Sequence, residues 1–155
     1  MRRLLGIAAL VAACALPGAA TPAPPPSEAQ TAAYLAEVVE IALAGDLDRL
    51  CDLGGGTCRK QLREGADAAP RTAPRVVGST VVPSTMLPDG NWRVGGRLLQ
   101  LCGVDGHGRR YYSEMLVFED RGRLIGLEPV FWTGTRIETG AMVTRTPDPT
   151  PCPVD

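Results

Sequence analysis

The chain has 155 residues, a formal net charge of −1 and 45% hydrophobic residues, of which few are aromatic. The slightly negative net charge excludes a basic face for nucleic acid and a polybasic surface for anionic lipids. The length fits one folded domain, whose core has to be built mainly from Leu, Val, Ile and Ala.

The first residues have the layout of a secretory signal. Met1-Arg2-Arg3 is a short basic start, and an apolar run follows from Leu4 to Ala13. The closing sequence Val11-Ala12-Ala13-Cys14 resembles a bacterial lipobox, in which the cysteine is acylated and becomes the new N-terminus. The run is too short for a transmembrane helix, which needs about 20 residues. We therefore expect lipidation at Cys14 and a protein held at the extracytoplasmic face of the cell membrane.

A second cleavage site is present a few residues later. Cleavage after Gly18-Ala19-Ala20 would discard Cys14 and release a soluble secreted protein, which remains the alternative. Cleavage at Cys14 leaves 14 basic and 17 acidic residues, a net charge of −3. Either site leaves four cysteines, an even number that suits disulfide formation in an oxidising compartment.

Disulfide pairing follows from the spacing of these four cysteines. We favour a Cys51–Cys58 bridge, because the segment between them contains three flexible glycines. That leaves Cys102 with Cys152, which would pin the C-terminal tail onto the domain, although the four thiols allow three pairings. A metal site from the four thiols and His107 is the alternative, but the chain has no C-x-x-C spacing. We expect no metal and no cofactor.

The chain divides into four segments. Residues 1–13 are the predicted signal peptide, and residues 14–26 are a proline-rich tether that could reach roughly 40 Å from a lipid surface. Residues 27–140 form the predicted folded domain, and residues 141–155 form a proline-rich tail.

Three helices are predicted at the start of the domain. Ser27, with Gln30 three residues later, forms a capping box, and Gly45 is suited to end the helix that follows. Shorter helices are predicted at two further places, each after a capping residue: Leu47–Leu53 after Asp46, and a third through Gly65 after Thr57.

The rest of the domain is predicted to be β-structure, with Pro129 marking a sheet edge or a bulge in the last strand. In the third strand, even-numbered side chains from Tyr112 to Phe118 alternate with odd-numbered ones from Tyr111 to Val117. The predicted strands are Arg75–Val82, Trp92–Cys102, Arg110–Glu119 and Leu124–Trp132.

Helices followed by an antiparallel meander predict an α+β fold with helices packed on one sheet face. A long helix breaks into a short one over Ala42-Leu43-Ala44-Gly45-Asp46-Leu47-Asp48-Arg49-Leu50-Cys51, and a meander runs from Gly96-Arg97-Leu98-Leu99 to Leu127-Glu128-Pro129-Val130-Phe131-Trp132. This layout resembles the nuclear-transport-factor-two-like, cystatin-like cone superfamily. The resemblance implies a curved sheet with a conical cavity. Members include isomerases, dehydratases, ligand binders and interaction domains, and exported actinobacterial members look like non-catalytic partners of envelope machinery.

Five residues of the last strands are candidates for lining an apolar pocket, and the alternative is that they fill the core between sheet and helix. They are Leu116, Phe118, Glu128, Phe131 and Trp132.

Catalysis in a cone fold would need a carboxylate base with a tyrosine or a protonated acid opposite it. Glu114 and Glu128 are the candidate bases, with Tyr111 and Tyr112 as neighbours; burial beside Trp132 would raise the pKa of Glu128. The alternative places both glutamates on the solvated sheet face, opposite Arg97 or Arg110.

Three further features suggest ordinary structure. His107 lies in a glycine-rich hairpin tip and is expected to be solvated. The Gly54-Gly55-Gly56-Thr57 segment could present N–H groups to an anion, but its flanking cysteines explain it as a disulfide turn. Asp105 and Asp120 lack the spacing of a calcium loop.

Two hypotheses follow for function. The first is a lipid-anchored envelope protein that acts without catalysis, by binding a partner protein or a small apolar ligand. The second is an isomerase or hydrolyase that uses Glu128 or Glu114. Nucleic acid is not an expected partner.

Overall fold

The computed structural model describes residues 22–55, 57–137, 143–145 and 152. The predicted signal peptide, the predicted lipidation site Cys14, and most of the predicted tether and tail lie outside these residues. The folded part has helices first and strands afterwards, in the predicted order.

Three helices open the domain, followed by a 3-10 turn at Ala66–Ala68: α1 Glu28–Ala44, α2 Leu47–Asp52 and α3 Cys58–Gly65. The predicted capping box is present, because the Ser27 hydroxyl accepts from the Gln30 backbone N–H while the Gln30 side chain accepts from the Ser27 N–H. Gly45, with a φ of 74°, ends α1 as predicted. The side chain of Asp46 caps α2 by accepting from the backbone N–H of Arg49.

The described residues then form eight strands: β1 Arg75–Val82, β2 Thr85–Met86, β3 Trp92–Arg93, β4 Gly96–Val104, β5 Arg110–Asp120, β6 Arg123–Leu127, β7 Thr135–Ile137 and β8 Val143–Arg145. Four of them form a curved antiparallel sheet in the order β1-β4-β5-β6, and β2 pairs with β3 and β7 with β8. The helices pack with this sheet, so the predicted α+β class is confirmed.

Two predicted strands are shorter than expected. The segment predicted as Trp92–Cys102 is split at Gly95, where a Cβ would collide with the backbone of the residues at 82–84. The last predicted strand stops at Leu127. Glu128 has a φ of 67°, and Pro129 has no N–H to donate to a ladder. Phe131 and Trp132 therefore lie in a 3-10 turn after the strand.

The main core lies between the helices and one face of the sheet. On β5 it takes Tyr111, Met115 and Val117, which alternate along the strand as predicted. From α1 it takes Tyr34, Leu35, Val38, Ile41 and Ala42. The opposite sheet face carries a small second cluster, in which Tyr112 packs with Cys102 and Cys152.

Both favoured disulfide pairings are present, Cys51–Cys58 and Cys102–Cys152. The first closes a segment of sequence separation 7 and the second one of 50. On the chain-entropy estimate these loops correspond to about 2 and about 4 kcal/mol of stabilisation. The longer bridge fixes residue 152 to the β4 strand.

Candidate binding groove

A large apolar concavity lies beside α1 in the described part of the chain. This groove has a volume of about 820 Å³ and lies between this helix and strands β1 and β4. Ligand pockets in proteins are typically about 300–1,000 Å³, so the groove is large enough to hold a small molecule.

The helical wall of the groove follows one face of α1 from end to end. Glu28 stands at its start and Leu43 at its last turn, which at 1.5 Å per residue makes the wall about 22 Å long. Between them the wall is mostly apolar, with Thr31 and Glu40 as its polar members, and the small side chains of Ala32 and Ala36 keep the space beside the helix open. The larger apolar residues of this wall are Leu35 and Val39.

The opposite wall comes from the sheet edge. Val76 and Ser79 belong to β1, and Arg97 and Leu99 belong to β4. Two large apolar side chains at the groove remain well exposed, Leu43 at 42% and Val76 at 45%. Their exposure means that a ligand lying between them would remove apolar surface from water, which is favourable.

Arg97 supplies a cation at the Glu28 end of the groove. Its side chain is only 14% exposed. Nε donates to the carbonyl of Pro26 at 3.1 Å, and Nη1 lies 3.4 Å from both the Glu28 carboxylate and the Ser79 hydroxyl. The groove is therefore mostly apolar, with the Arg97 cation and the Glu28 carboxylate at one end and the Glu40 carboxylate near the other.

The predicted apolar pocket does not form from the five residues proposed for it. Phe131 and Trp132 lie in the main core, where their rings meet edge to face at 5.2 Å. Leu116 and Phe118 are half-buried on the other face of β5, because the side chains of a strand alternate. Trp132 does line a separate cavity of about 300 Å³, together with Tyr111.

Glu128 is buried rather than solvated, with 1% of its surface exposed. Oε1 accepts a hydrogen bond from the Thr57 hydroxyl at 3.2 Å, and no described residue donates to Oε2. Burial raises the pKa of Glu128, and the Thr57 bond opposes that rise. Glu128 lines neither the groove nor the cavity beside Trp132.

Thr57 was expected to cap α3, but its side chain makes no capping hydrogen bond there. The loop that carries it is held against β6 by two backbone bonds, from Gly55 N–H to the Gly126 carbonyl and from Gly126 N–H to the Leu53 carbonyl. This pairing places the Thr57 hydroxyl beside Glu128.

Glu114 has a structural role. Its Oε1 accepts from the Tyr112 hydroxyl at 2.8 Å, and its Oε2 accepts from the backbone N–H of Ile137 at 2.7 Å. In the β4–β5 register it faces Gln100, not Arg97 or Arg110. Burial, followed by the bond to Glu114, raises the pKa of Tyr112 to about 12. The pair therefore links β5 to β7.

The remaining candidates also form local structure. The His107 ring lies 3.3 Å from the exposed Asp67 carboxylate. Asp105 accepts from the backbone N–H groups of His107 and Arg109 and from the Arg109 side chain, and these bonds lower its pKa against the opposing effect of burial. Gly54, Gly55 and Thr57 lie within the segment that the Cys51–Cys58 disulfide closes.

The groove itself was missed from the sequence. Its signal is present in the sequence of α1, where Leu35, Val38, Val39 and Leu43 recur at helical spacing and form one apolar stripe. The structure divides that stripe: Val38 points into the core, Leu43 faces the groove, and Leu35 contributes to both. This apolar stripe is wider than a single packing surface requires, and that excess width could have indicated a second contact surface on the helix.

Among the described residues, no three of His, Cys, Asp or Glu are placed to hold a metal ion. None of the helices described is both long and apolar enough to cross a membrane. A comparison with protein-family models, with curated proteins and with solved structures finds no match for this chain.

Proposed function

We propose that this chain is an exported, lipid-anchored protein of the bacterial cell envelope, with a domain of the nuclear-transport-factor-two-like cone type. Its role is to bind a small apolar ligand without chemical change, in the groove beside α1. The observation that carries this proposal is the 820 Å³ apolar groove along one complete face of that helix.

The shape of the groove favours a small molecule over a protein partner. Protein interfaces are broad surfaces, whereas this site is a concave slot within the size range of ligand pockets. Each methylene group that leaves water contributes about 0.8 kcal/mol. An apolar ligand that extends along much of the wall would therefore gain enough free energy to be retained.

A second candidate is acid–base catalysis at Glu128, and one observation favours it. Its carboxyl is buried with a raised pKa, as expected of a catalytic acid or base. However, its described hydrogen-bond partner is Thr57 and not a tyrosine, and it lines neither the groove nor the cavity beside Trp132. Binding is therefore the better-supported function.

The test is native mass spectrometry of the full-length protein, isolated from its own cell envelope. We expect a reproducible non-covalent adduct that is released on denaturation. Ala32→Trp should reduce its occupancy roughly tenfold, because an indole at this exposed position would fill the groove.

Ala33→Trp is the matched control. Ala33 is the next residue on α1, is also exposed, and does not line the groove. It should leave the adduct unchanged. A wild-type protein without an adduct, or an adduct that survives Ala32→Trp unchanged, would contradict binding in the groove.

A further inference from the structure

The groove carries information about the chemical class of its ligand, and this inference rests on the proposed function. We propose that the ligand is a single-chain amphiphile with an anionic head group. The head group binds to Arg97, and the apolar chain runs along α1 from the Glu28 end towards Leu43.

Arg97 has an unused hydrogen-bonding edge. Nε is engaged by the Pro26 carbonyl, and Nη1 makes only two long contacts of 3.4 Å, with Glu28 and Ser79. No residue in the described segments accepts a hydrogen bond from Nη2. A carboxylate or phosphate oxygen could bind to Nη2 without displacing Pro26, and such charge-assisted bonds are among the stronger ones.

The charges around the groove favour this end for an anion. Arg97 is the single cation among the described lining residues, and it is largely buried, so salt screens it weakly. Its carboxylate partner Glu28 is 82% exposed, and exposed ion pairs contribute little. The other lining acid, Glu40, lies about 18 Å further along the helix, beyond the screening distance of about 8–10 Å.

The shape of the groove favours one extended chain. Its helical wall is about 22 Å long, whereas one leaflet of a bilayer is about 15 Å of hydrocarbon. A single acyl chain therefore fits along the wall with its polar end at Arg97. Beyond this point the wall has no second cation that a further anionic group could use.

The head group also distinguishes the ligand from the protein's own anchor. An acyl chain attached to Cys14 is held through an uncharged linkage, so it offers no anion to Arg97. We therefore commit to a free amphiphile as the occupant of the groove.

The experiment offers palmitate and hexadecanol together, from a cyclodextrin carrier, to the full-length chain carrying Cys14→Ser. The two probes share an alkyl chain and differ in the charge of the head, and native mass spectrometry reports the ratio of their adducts. We expect roughly a tenfold preference for palmitate. Arg97→Gln should bring the ratio close to one, and Arg97→Lys, which keeps the charge, should retain most of the preference.

A second variant keeps the test decisive if Arg97→Gln fails to fold. Glu28→Gln removes the competing carboxylate at an exposed position and should increase the preference for palmitate. Equal adducts in the parent chain, with no response to Glu28→Gln, would overturn the anionic head group while leaving apolar-ligand binding in place. Failure of both probes to bind would overturn the proposed function as well.

Discussion

Glu128 combines three unfavourable features in one residue. It has a positive φ without being glycine, its carboxyl is buried, and one oxygen lacks a partner among the described groups. Each feature costs free energy, which neighbouring contacts have to offset. Pro129 packs so closely against Gly54 that a Cβ on Gly54 would collide with the proline ring. This contact is one of those that hold the turn.

The burial of Glu128 predicts a pH dependence of stability. Its pKa is raised on folding, so the native state binds more protons than the unfolded state, and stability decreases as the pH rises above the ordinary value of 4.5. Glu128→Gln removes the titrating carboxyl, and with it the decrease in stability at higher pH. Urea unfolding should show a variant that is more stable than wild type near neutral pH, by on the order of 1 kcal/mol, with the difference vanishing in acid.

The control for this measurement is Glu37→Gln, a change at an exposed carboxyl on α1. It should not produce a stability gain that grows with pH. A Glu128→Gln variant whose stability runs parallel to wild type at every pH would show that the carboxyl is hydrated in the folded protein.

At the scale of elements, β5 separates two environments. Its odd-numbered side chains Met115 and Val117 are fully buried against the helices, whereas Leu116 and Phe118 are half-buried on the other face. Ser113 also points to the core side and accepts from the backbone N–H groups of Gly134 and Thr135, which ties the chain after the 3-10 turn to this strand.

This asymmetry predicts unequal effects of similar truncations. Met115→Ala should lower the free energy of unfolding by about 3 kcal/mol, because it leaves a cavity in a closed core. Leu116→Ala should cost about 1 kcal/mol, since its side chain is already partly solvated. Chemical denaturation of both variants measures these changes in the free energy of unfolding. A larger decrease for Leu116→Ala than for Met115→Ala would mean that the buried and half-buried faces of β5 are assigned the wrong way round.

The elements differ in how far local sequence determines them. Ser27, Gln30 and Gly45 mark the ends of α1 through contacts within a few residues, so its bounds were predictable. The alternation on β5 was also predictable, but the face that meets the helices depends on distant residues, and the pocket was therefore assigned to Leu116 and Phe118. The end of β6 at Leu127 was missed, because a positive φ at Glu128 has no sequence signal of its own.

At the scale of the whole molecule, the N-terminal end of the described chain lies close to one end of the groove. The described chain begins at residue 22 and reaches the Glu28 end of the groove within a few residues. Cys102–Cys152 bridges on the other face of the sheet, in the cluster with Tyr112. The Cys102–Cys152 disulfide therefore lies away from the groove and leaves it open.

Lipid attachment is tested by Cys14→Ser in the full-length chain. We expect the wild-type protein in the membrane fraction, with a covalent mass that includes acyl chains, because the thiol is the attachment point. The variant should appear in the soluble fraction without that added mass. Thr21→Ser, a conservative change in the same predicted tether, should behave as wild type, and membrane retention of Cys14→Ser would contradict the anchor.

The hydrogen bond from Arg97 to the Pro26 carbonyl has a mechanical consequence. Pro26 is buried one residue before the Ser27 cap, and Arg97 belongs to β4, an interior strand of the sheet. A pulling force on the N-terminal segment is therefore transferred to the sheet before it reaches the first turn of α1. We therefore expect the start of the helix wall to fray less under tension, because the guanidinium that would hold a ligand also holds the residue before the Ser27 cap.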